Sequence, residues 1–291
     1  MEQINWYPGH MKKTKELIQE NLKMVNVVIE VIDARIPISS RNPIIDELIS
    51  NKTRIIALNK SDLGDSKINA FWRDYFKGQG AIPLLMNSVK GDGIPQLMQT
   101  LERIQEEKNA DSIRKRPLRI MIVGVPNVGK SSLINRLTGK KSAKTGNKPG
   151  VTRGKQWLNL SENMQLLDTP GILWPKFEDP KVGLKLAFLG SIKDEILDIP
   201  SITLELIKFL SEEYKSLLIT RYKLTELGET PLETMEMIAK KRGFILSGDR
   251  IDYERTSRTI IDEYRAGILG RITLERPEEM LYKVHDPEKF E

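Results

Sequence analysis

Residues 119–137, RIMIVGVPNVGKSSLINRL, put an apolar β-branched run, a glycine-bounded loop and a helical pattern into nineteen consecutive positions. A strand buried on both faces of a parallel sheet reads as such a continuous apolar run. The loop fits G-x-x-x-x-G-K-[ST] from Gly124 to Ser131. This restricts the chain to folds in which a buried strand feeds a helix through a tight, backbone-lined turn. The glycines let successive N–H groups curl around an anion, and the helix N-terminus adds partial positive charge. In such a loop Lys130 reaches the β- and γ-phosphates of a nucleotide and the Ser131 hydroxyl ligates Mg2+. Asn127, Val128, Gly129 and Ser132 belong to the same cradle.

The strand-and-helix alternation runs through the first half of the chain. Apolar runs predict strands over Val25–Ile32, Thr53–Leu58, Ile82–Met86 and Arg119–Val123, and near Gln156–Leu160 and Met164–Leu167. Helical patterns fall at Pro43–Ile49, Ile68–Phe76, Ile94–Ile104 and after Gly129. Alternation of this kind demands crossover connections and a parallel sheet. From about Pro180 the pattern turns helical, with helices expected over Leu204–Leu217, Pro231–Lys241 and Thr256–Ile268. The expected fold is α/β with an all-α C-terminal domain. An N-terminal helical segment spans 1–24, the α/β domain 25–178 and the helical domain 179–291. KNADSIRKRP at 108–117, polar and proline-terminated, reads as a linker inside the α/β domain.

Further stretches narrow the nucleotide. DTPG at 168–171 follows a strand, which sets Asp168 beside the metal and the Gly171 N–H near the γ-phosphate. PGVTRG at 149–154 offers Thr152 to a mobile switch that closes on Mg2+. ALNKSDLG at 57–64 supplies Asn59, Lys60, Ser61 and Asp62 as an N-K-x-D element. The Asp62 carboxylate can accept from the N1–H and exocyclic amine of guanine, a donor pair that adenine lacks. Asn59 serves the other edge of the base, and the Lys60 stem lies along its plane. NSVKG at 87–91 fits the companion loop, Asn87 leading into backbone at Ser88 and Val89 turned to the guanine oxygen. Together these point to GTP. The order, however, is base motif, base-side loop, linker, phosphate loop, switch I, switch II, a circular permutation of the usual P-loop GTPase domain. Such a rearrangement is tolerated where the original termini lie close and are joined by an exposed segment. It makes DTPG the last part of the α/β domain, so nucleotide-driven movement there would reorient the helical domain.

Composition limits the partners. The 291 residues suffice to bury a core and contain no cysteine, which excludes disulfides and thiolate metal sites. MEQINWYPGHMKK lacks the apolar core of a signal peptide, and VNVVIEVI, interrupted by Glu30, is too short to span a bilayer. A cytoplasmic monomer without a membrane partner is expected. The net charge of +6 is unevenly spread: residues 1–171 carry 27 Lys and Arg against 17 Asp and Glu, a net of +10, and residues 172–291 carry 19 against 23, a net of −4. Between Ser131 and Ser161 seven cations meet no acid. That block suits a polyanion, RNA before membrane, or is a plain basic surface. Lys240, Lys241 and Arg242 close one C-terminal helix, and Arg255, Arg258 and Arg265 recur near heptad spacing on the next. These cations either meet RNA phosphates or form solvated faces and helix ends.

The permuted order, NWYPGHM at 5–11, DAR at 33–35 and the helical C-terminal domain together resemble the circularly permuted GTPases of the YlqF type over nearly the whole chain. The resemblance implies GTP hydrolysis with Mg2+ in late maturation of the large (50S) ribosomal subunit. It further implies rRNA and the subunit precursor as partners, and stimulation by the particle. The alternative is a GTP-gated RNA-binding module acting on another RNA, its hydrolysis incidental. One departure matters: DTPG is followed by Ile172, where many GTPases carry a glutamine that orients the attacking water. The missing polar group is supplied by His10 folded over the γ-phosphate, by Asn127 or by the ribosome. His10 otherwise packs the N-terminal helix. Asn127 resembles the asparagine that helps hold K+ in K+-dependent GTPases, and is otherwise a polar loop residue. Asp33 and Arg35 either support the nucleotide or the N-terminal motif, or form an ion pair that shapes their loop. Trp6 and Tyr7 either stack on RNA bases or pack across the N-terminal helix.

Overall fold

The computed structural model describes residues 16, 19–49, 52–110, 115–139, 156–168 and 179–277. The run VVIEVID forms strand β1, Val27–Asp33, and all seven residues are buried. An apolar, β-branched strand covered on both faces belongs at the centre of a parallel sheet, and β1 lies there. It pairs in parallel with β2 (Thr53–Asn59) on one side and β4 (Leu118–Val123) on the other. β3 (Ile82–Leu85) extends the sheet beyond β2, and β6 (Met164–Asp168) beyond β4, both parallel. β5 (Gln156–Ser161) adds an antiparallel edge next to β6. The order is therefore β3-β2-β1-β4-β6-β5. Glu30, in the middle of β1, is held by the guanidiniums of Arg54 and Arg41.

The chain steps from β1 outward to β3, then returns to the far side of β1 as β4. Strand order reverses between β1 and β4, and a ligand crevice opens at such a point, outside the carboxyl ends of the strands. The connecting helices are α1 (Pro43–Leu48), α2 (Ser66–Gly78) and α3 (Ile94–Asn109). In α2 the Asp65 side chain accepts from the N–H groups of Lys67 and Ile68, and Trp72 and Phe76 are buried with Ile32, Ile56 and Leu58. The start of the expected linker is helical, because α3 runs to Asn109 and the Lys108 ammonium is tied to Asn26 Oδ1 (2.8 Å) and Pro117 O (3.2 Å).

Two compact units result: Met1–Gly183 with Thr273–Glu291, and Leu184–Ile272. In the second, α6 (Ile199–Glu213), α7 (Lys215–Tyr222), α8 (Pro231–Arg242) and α9 (Tyr253–Arg265) follow α5 (Pro180–Phe188), which straddles the boundary. Leu206, Ile207, Met235, Ile238, Ile260 and Tyr264 form its interior. The single helix expected over 204–217 breaks at Tyr214 (φ −137°, ψ 35°), and a short hairpin, β7 (Ile245–Leu246) with β8 (Arg250–Ile251), interrupts the helices. Gly243 ends α8 in the left-handed region, and Gly248 and Asp249, both at positive φ, make the hairpin turn.

The expected helical domain reached to residue 291, whereas Thr273–Glu275 pack on the sheet unit. Leu274 N–H donates to Arg35 O (2.8 Å), Asp65 N–H to Thr273 Oγ1 (2.9 Å) and the Trp72 indole to Glu275 O (3.0 Å). The Glu275 carboxylate accepts from the N–H groups of Ile38 (2.6 Å) and Ser39 (3.1 Å). Buried donors need acceptors, and this returning strap supplies them.

Candidate nucleotide site

All five parallel strands end at the same sheet edge. That edge gathers Asp33 from β1, Asn59 from β2, the loop after β3, the phosphate loop after β4 and the backbone of Asp168 at the end of β6. Register fixes the levels: Asp33 lies opposite Asn59, while β4 ends with Val123 opposite Glu30. The phosphate loop therefore turns beside the end of β1. A Cβ on Gly124 would come within 2.4 Å of Val31 O, so only glycine passes there. The loop leads into α4 (Lys130–Thr138), whose N-cap Gly129 (φ 98°) offers no side chain to the first-turn N–H groups. No acidic residue stands in that turn. Lys130 is buried, and Ser131 and Ser132 are half-buried in the first turn.

The base motif holds the phosphate loop directly. Asn59 Nδ2 donates to Val128 O (2.7 Å), and Lys60 Nζ donates to Asn127 O (2.7 Å). In a planar trans peptide the N–H points opposite to the C=O. Drawing the carbonyls of Asn127 and Val128 toward β2 therefore turns the N–H groups of Val128 and Gly129 the other way, into the concavity of the loop. Asn127 itself sits at φ 64°, a conformation asparagine tolerates better than most residues. Two motifs that stand in inverted order along the chain thus interlock in space.

Several sequence expectations change in detail. Asn59, expected at the edge of the base, is buried, and its Oδ1 accepts from Ser88 N–H (2.9 Å) and Oγ–H (2.8 Å) while its amide holds Val128. The Ser88 and Val89 N–H groups, expected to face the guanine oxygen, are engaged by Asn59 Oδ1 and Asn87 Oδ1. Asn87 Oδ1 also accepts from Lys90 N–H, so Asn87 organises the loop. Ser61 joins the same framework through Met86 O (3.0 Å from its Oγ). Asp62 is half-buried, and among the described residues its carboxylate makes only a long contact, with Lys90 Nζ at 3.9 Å.

DAR forms the expected ion pair and more. Both Asp33 oxygens receive Arg35 (Nε and Nη2, each 2.9 Å), both residues are 1% exposed, and Lys60 Nζ lies 3.0 Å from Asp33 Oδ2. Burial alone would raise the Asp33 pKa. The charges of Arg35 and Lys60, with the Arg35 hydrogen bonds, override it and hold the carboxyl well below the usual range. Nothing in the sequence marks the link from Asp33 to Lys60, which depends on strand register.

In the helical unit Arg265 turns inward. It donates to the carbonyls of Ala187 (2.9 Å) and Phe188 (3.0 Å) at the end of α5 and pairs with Asp194. Arg242 pairs with Glu263 at 3.0 Å, beside Arg221, and remains exposed. Lys240, Lys241, Arg255 and Arg258 are exposed, with Arg255 over the Phe244 ring and Arg258 paired to Glu254. His10, Thr152, Gly171 and Ile172 lie outside the described residues, and the Asp168 side chain is likewise not described.

The fold and the interlocked motifs define a P-loop GTPase with permuted motif order. A family profile described as "50S ribosome-binding GTPase" matches residues 119–231, beginning at β4 and leaving the base motif ahead of it, as permutation requires. Ribosome biogenesis GTPase A of Bacillus cereus is 46% identical over 292 residues, covering 99% of each chain. Mitochondrial ribosome-associated GTPase 1 of Mus musculus is 35% identical, covering 93% of this chain and 90% of its own. The crystal structure of GNP-bound YlqF from T. maritima superposes with a TM-score of 0.64 at 30% identity, covering 91% of this chain and 99% of that one. The chain belongs to the ribosome biogenesis GTPase A (YlqF) family and is a GTPase.

Proposed function

We propose that the chain couples GTP hydrolysis to late assembly of the large ribosomal subunit. The observation that carries the nucleotide half is the grip of Asn59 and Lys60 on the phosphate-loop carbonyls, which joins base and phosphate recognition into one pocket. The ribosomal half is supported by the relatives named above, which are described as acting in ribosome biogenesis or binding the 50S ribosome. Val128, Gly129, Lys130, Ser131 and Ser132 cradle the phosphates, and Asp62 reads guanine. Lys60, Ser61, Asn59, Asn87, Ser88 and Val89 frame the base side, and Thr152 and Gly171 close from the switches.

Mg2+ fits the donors present. Ser131 stands in the first turn of α4, and β6 sets the Asp168 backbone in register with Ile122 of the neighbouring β4, hard-oxygen residue types on adjacent elements. Bound there with Thr152, the ion would offset phosphate charge. Water orientation falls to His10, to a K+ held with the help of Asn127, or to a ribosomal group, because Ile172 has no polar atom to offer. Hydrolysis by the isolated chain is accordingly slow. Lys240, Lys241, Arg242, Arg255 and Arg258 supply the cationic face toward rRNA. Among the described residues no helix is long and apolar enough to cross a membrane; action on ribosomal particles suits a cytoplasmic protein, and we propose that it works there as a monomer.

The test is GTP turnover in K+ and in Na+, with large or small ribosomal subunits added. Stimulation by the large subunit alone, stronger in K+, is expected. Equal turnover with and without either particle would contradict the ribosomal reading.

A further inference from the structure

Asp33 ends the central strand in a position fixed from several directions. Its N–H donates to Ser40 Oγ (3.0 Å), whose hydroxyl donates to Ile36 O (2.7 Å), and the neighbouring Arg35 carbonyl is held by Leu274 N–H. The carboxylate is nearly sealed from solvent and lies 3.0 Å from Lys60 Nζ. A lysine ammonium on its four-carbon stem is a mobile point charge with no built-in direction. Here one fixed anion sits on one side and the Asn127 carbonyl, 2.7 Å away, on the other. The direction of that carbonyl decides where the Val128 N–H points.

We propose that Asp33 is a positioning residue for nucleotide binding: it fixes Lys60 Nζ, and through it the Asn127–Val128 peptide whose N–H faces the phosphates. This rests on the reading of the phosphate loop as the GTP site. It goes beyond an ion pair that shapes the Asp33–Arg35 loop, because it makes the carboxylate act on a residue 27 positions away and on a loop 94 positions away. Arg35 has a different part, compensating the charge of Asp33 and anchoring the loop.

The experiment measures release of a fluorescent GDP analogue by stopped flow, with folding checked by circular dichroism and urea titration. The variants are Asp33→Asn, Lys60→Met, their double, Arg35→Met, and Asp33→Asn combined with Arg35→Met. The last leaves no buried guanidinium without a counter-charge and carries the comparison if Asp33→Asn alone fails to fold. Loss of Asp33 in either form should speed GDP release by about tenfold, the scale of coupling between contacting residues. Arg35→Met alone should lower the urea midpoint and leave release within about twofold of wild type, and Asp33→Asn should add less than about twofold in the Lys60→Met background. A purely structural Asp33 would show the same effect with or without Lys60, and that additivity would overturn the proposal. Unchanged release in the Asp33→Asn, Arg35→Met variant would overturn it too, with the nucleotide site intact. Failure of the wild-type chain to bind GDP would overturn the site reading and this proposal with it.

Discussion

At residue scale the pocket depends on atoms that are absent as much as on those present. Gly129 has φ 98°, and a Cβ there would approach Asn59 Nδ2 to 2.2 Å. Alanine would meet backbone strain of about 1–3 kcal/mol and push away the amide that holds Val128 O. Gly129→Ala should therefore weaken GDP affinity by more than about tenfold, a factor equivalent to about 1.4 kcal/mol; unchanged affinity in a calorimetric titration would mean that Asn59 does not set the loop. The G-x-x-x-x-G-K-S pattern announced this glycine. It did not announce which side chain crowds it, because Asn59 and Gly129 meet only through the β2–β1–β4 register.

At the scale of elements, the strap Thr273–Glu275 finishes the edge of the sheet unit. Glu275 is buried, and its carboxylate serves the N–H groups of Ile38 and Ser39 as well as the Ser39 hydroxyl. Truncation would leave buried donors without an acceptor, at about 1–3 kcal/mol each. Glu275→Ala should lower the urea midpoint of unfolding clearly, whereas the exposed Glu254→Ala should scarcely move it. Equal midpoints for the two would show that the strap contributes nothing to stability. Elements with long, uniform patterns were legible: β1, β2 and β4 carry apolar runs rich in β-branched residues, and α8 opens on Thr230 and Pro231 with a complete capping box. The break at Tyr214 was not, since helical periodicity continues through it. The two-residue strands β7 and β8 are too short for any period to register. Arg265 looked like part of a basic face because its sequence neighbours say nothing of the α5 carbonyls it caps 77 and 78 positions away.

At the scale of the whole molecule, permutation changes what the chain is joined to. In the chain order the sheet unit precedes the helical unit at Gly183 and resumes at Thr273, so the helical unit is inserted between the switch II segment and the strap. Sequence order alone revealed the permuted GTPase, since motif spacing survives any rearrangement that keeps each strand with its loop. It did not reveal the second attachment, because TLERP carries no recognisable pattern. A GTPase of permuted order requires that motifs inverted along the chain build one guanine-specific pocket. The most direct measurement is the affinity for GDP against ADP and xanthosine diphosphate, in wild type and in Asp62→Asn. Wild type should prefer GDP over ADP by at least about a hundredfold, as expected for a site built on hydrogen bonds to its substrate. Asp62→Asn should shift preference toward xanthosine diphosphate, whose base presents a carbonyl where guanine has its amine. Comparable affinity for ADP and GDP, or no change of preference in Asp62→Asn, would contradict the pocket described here.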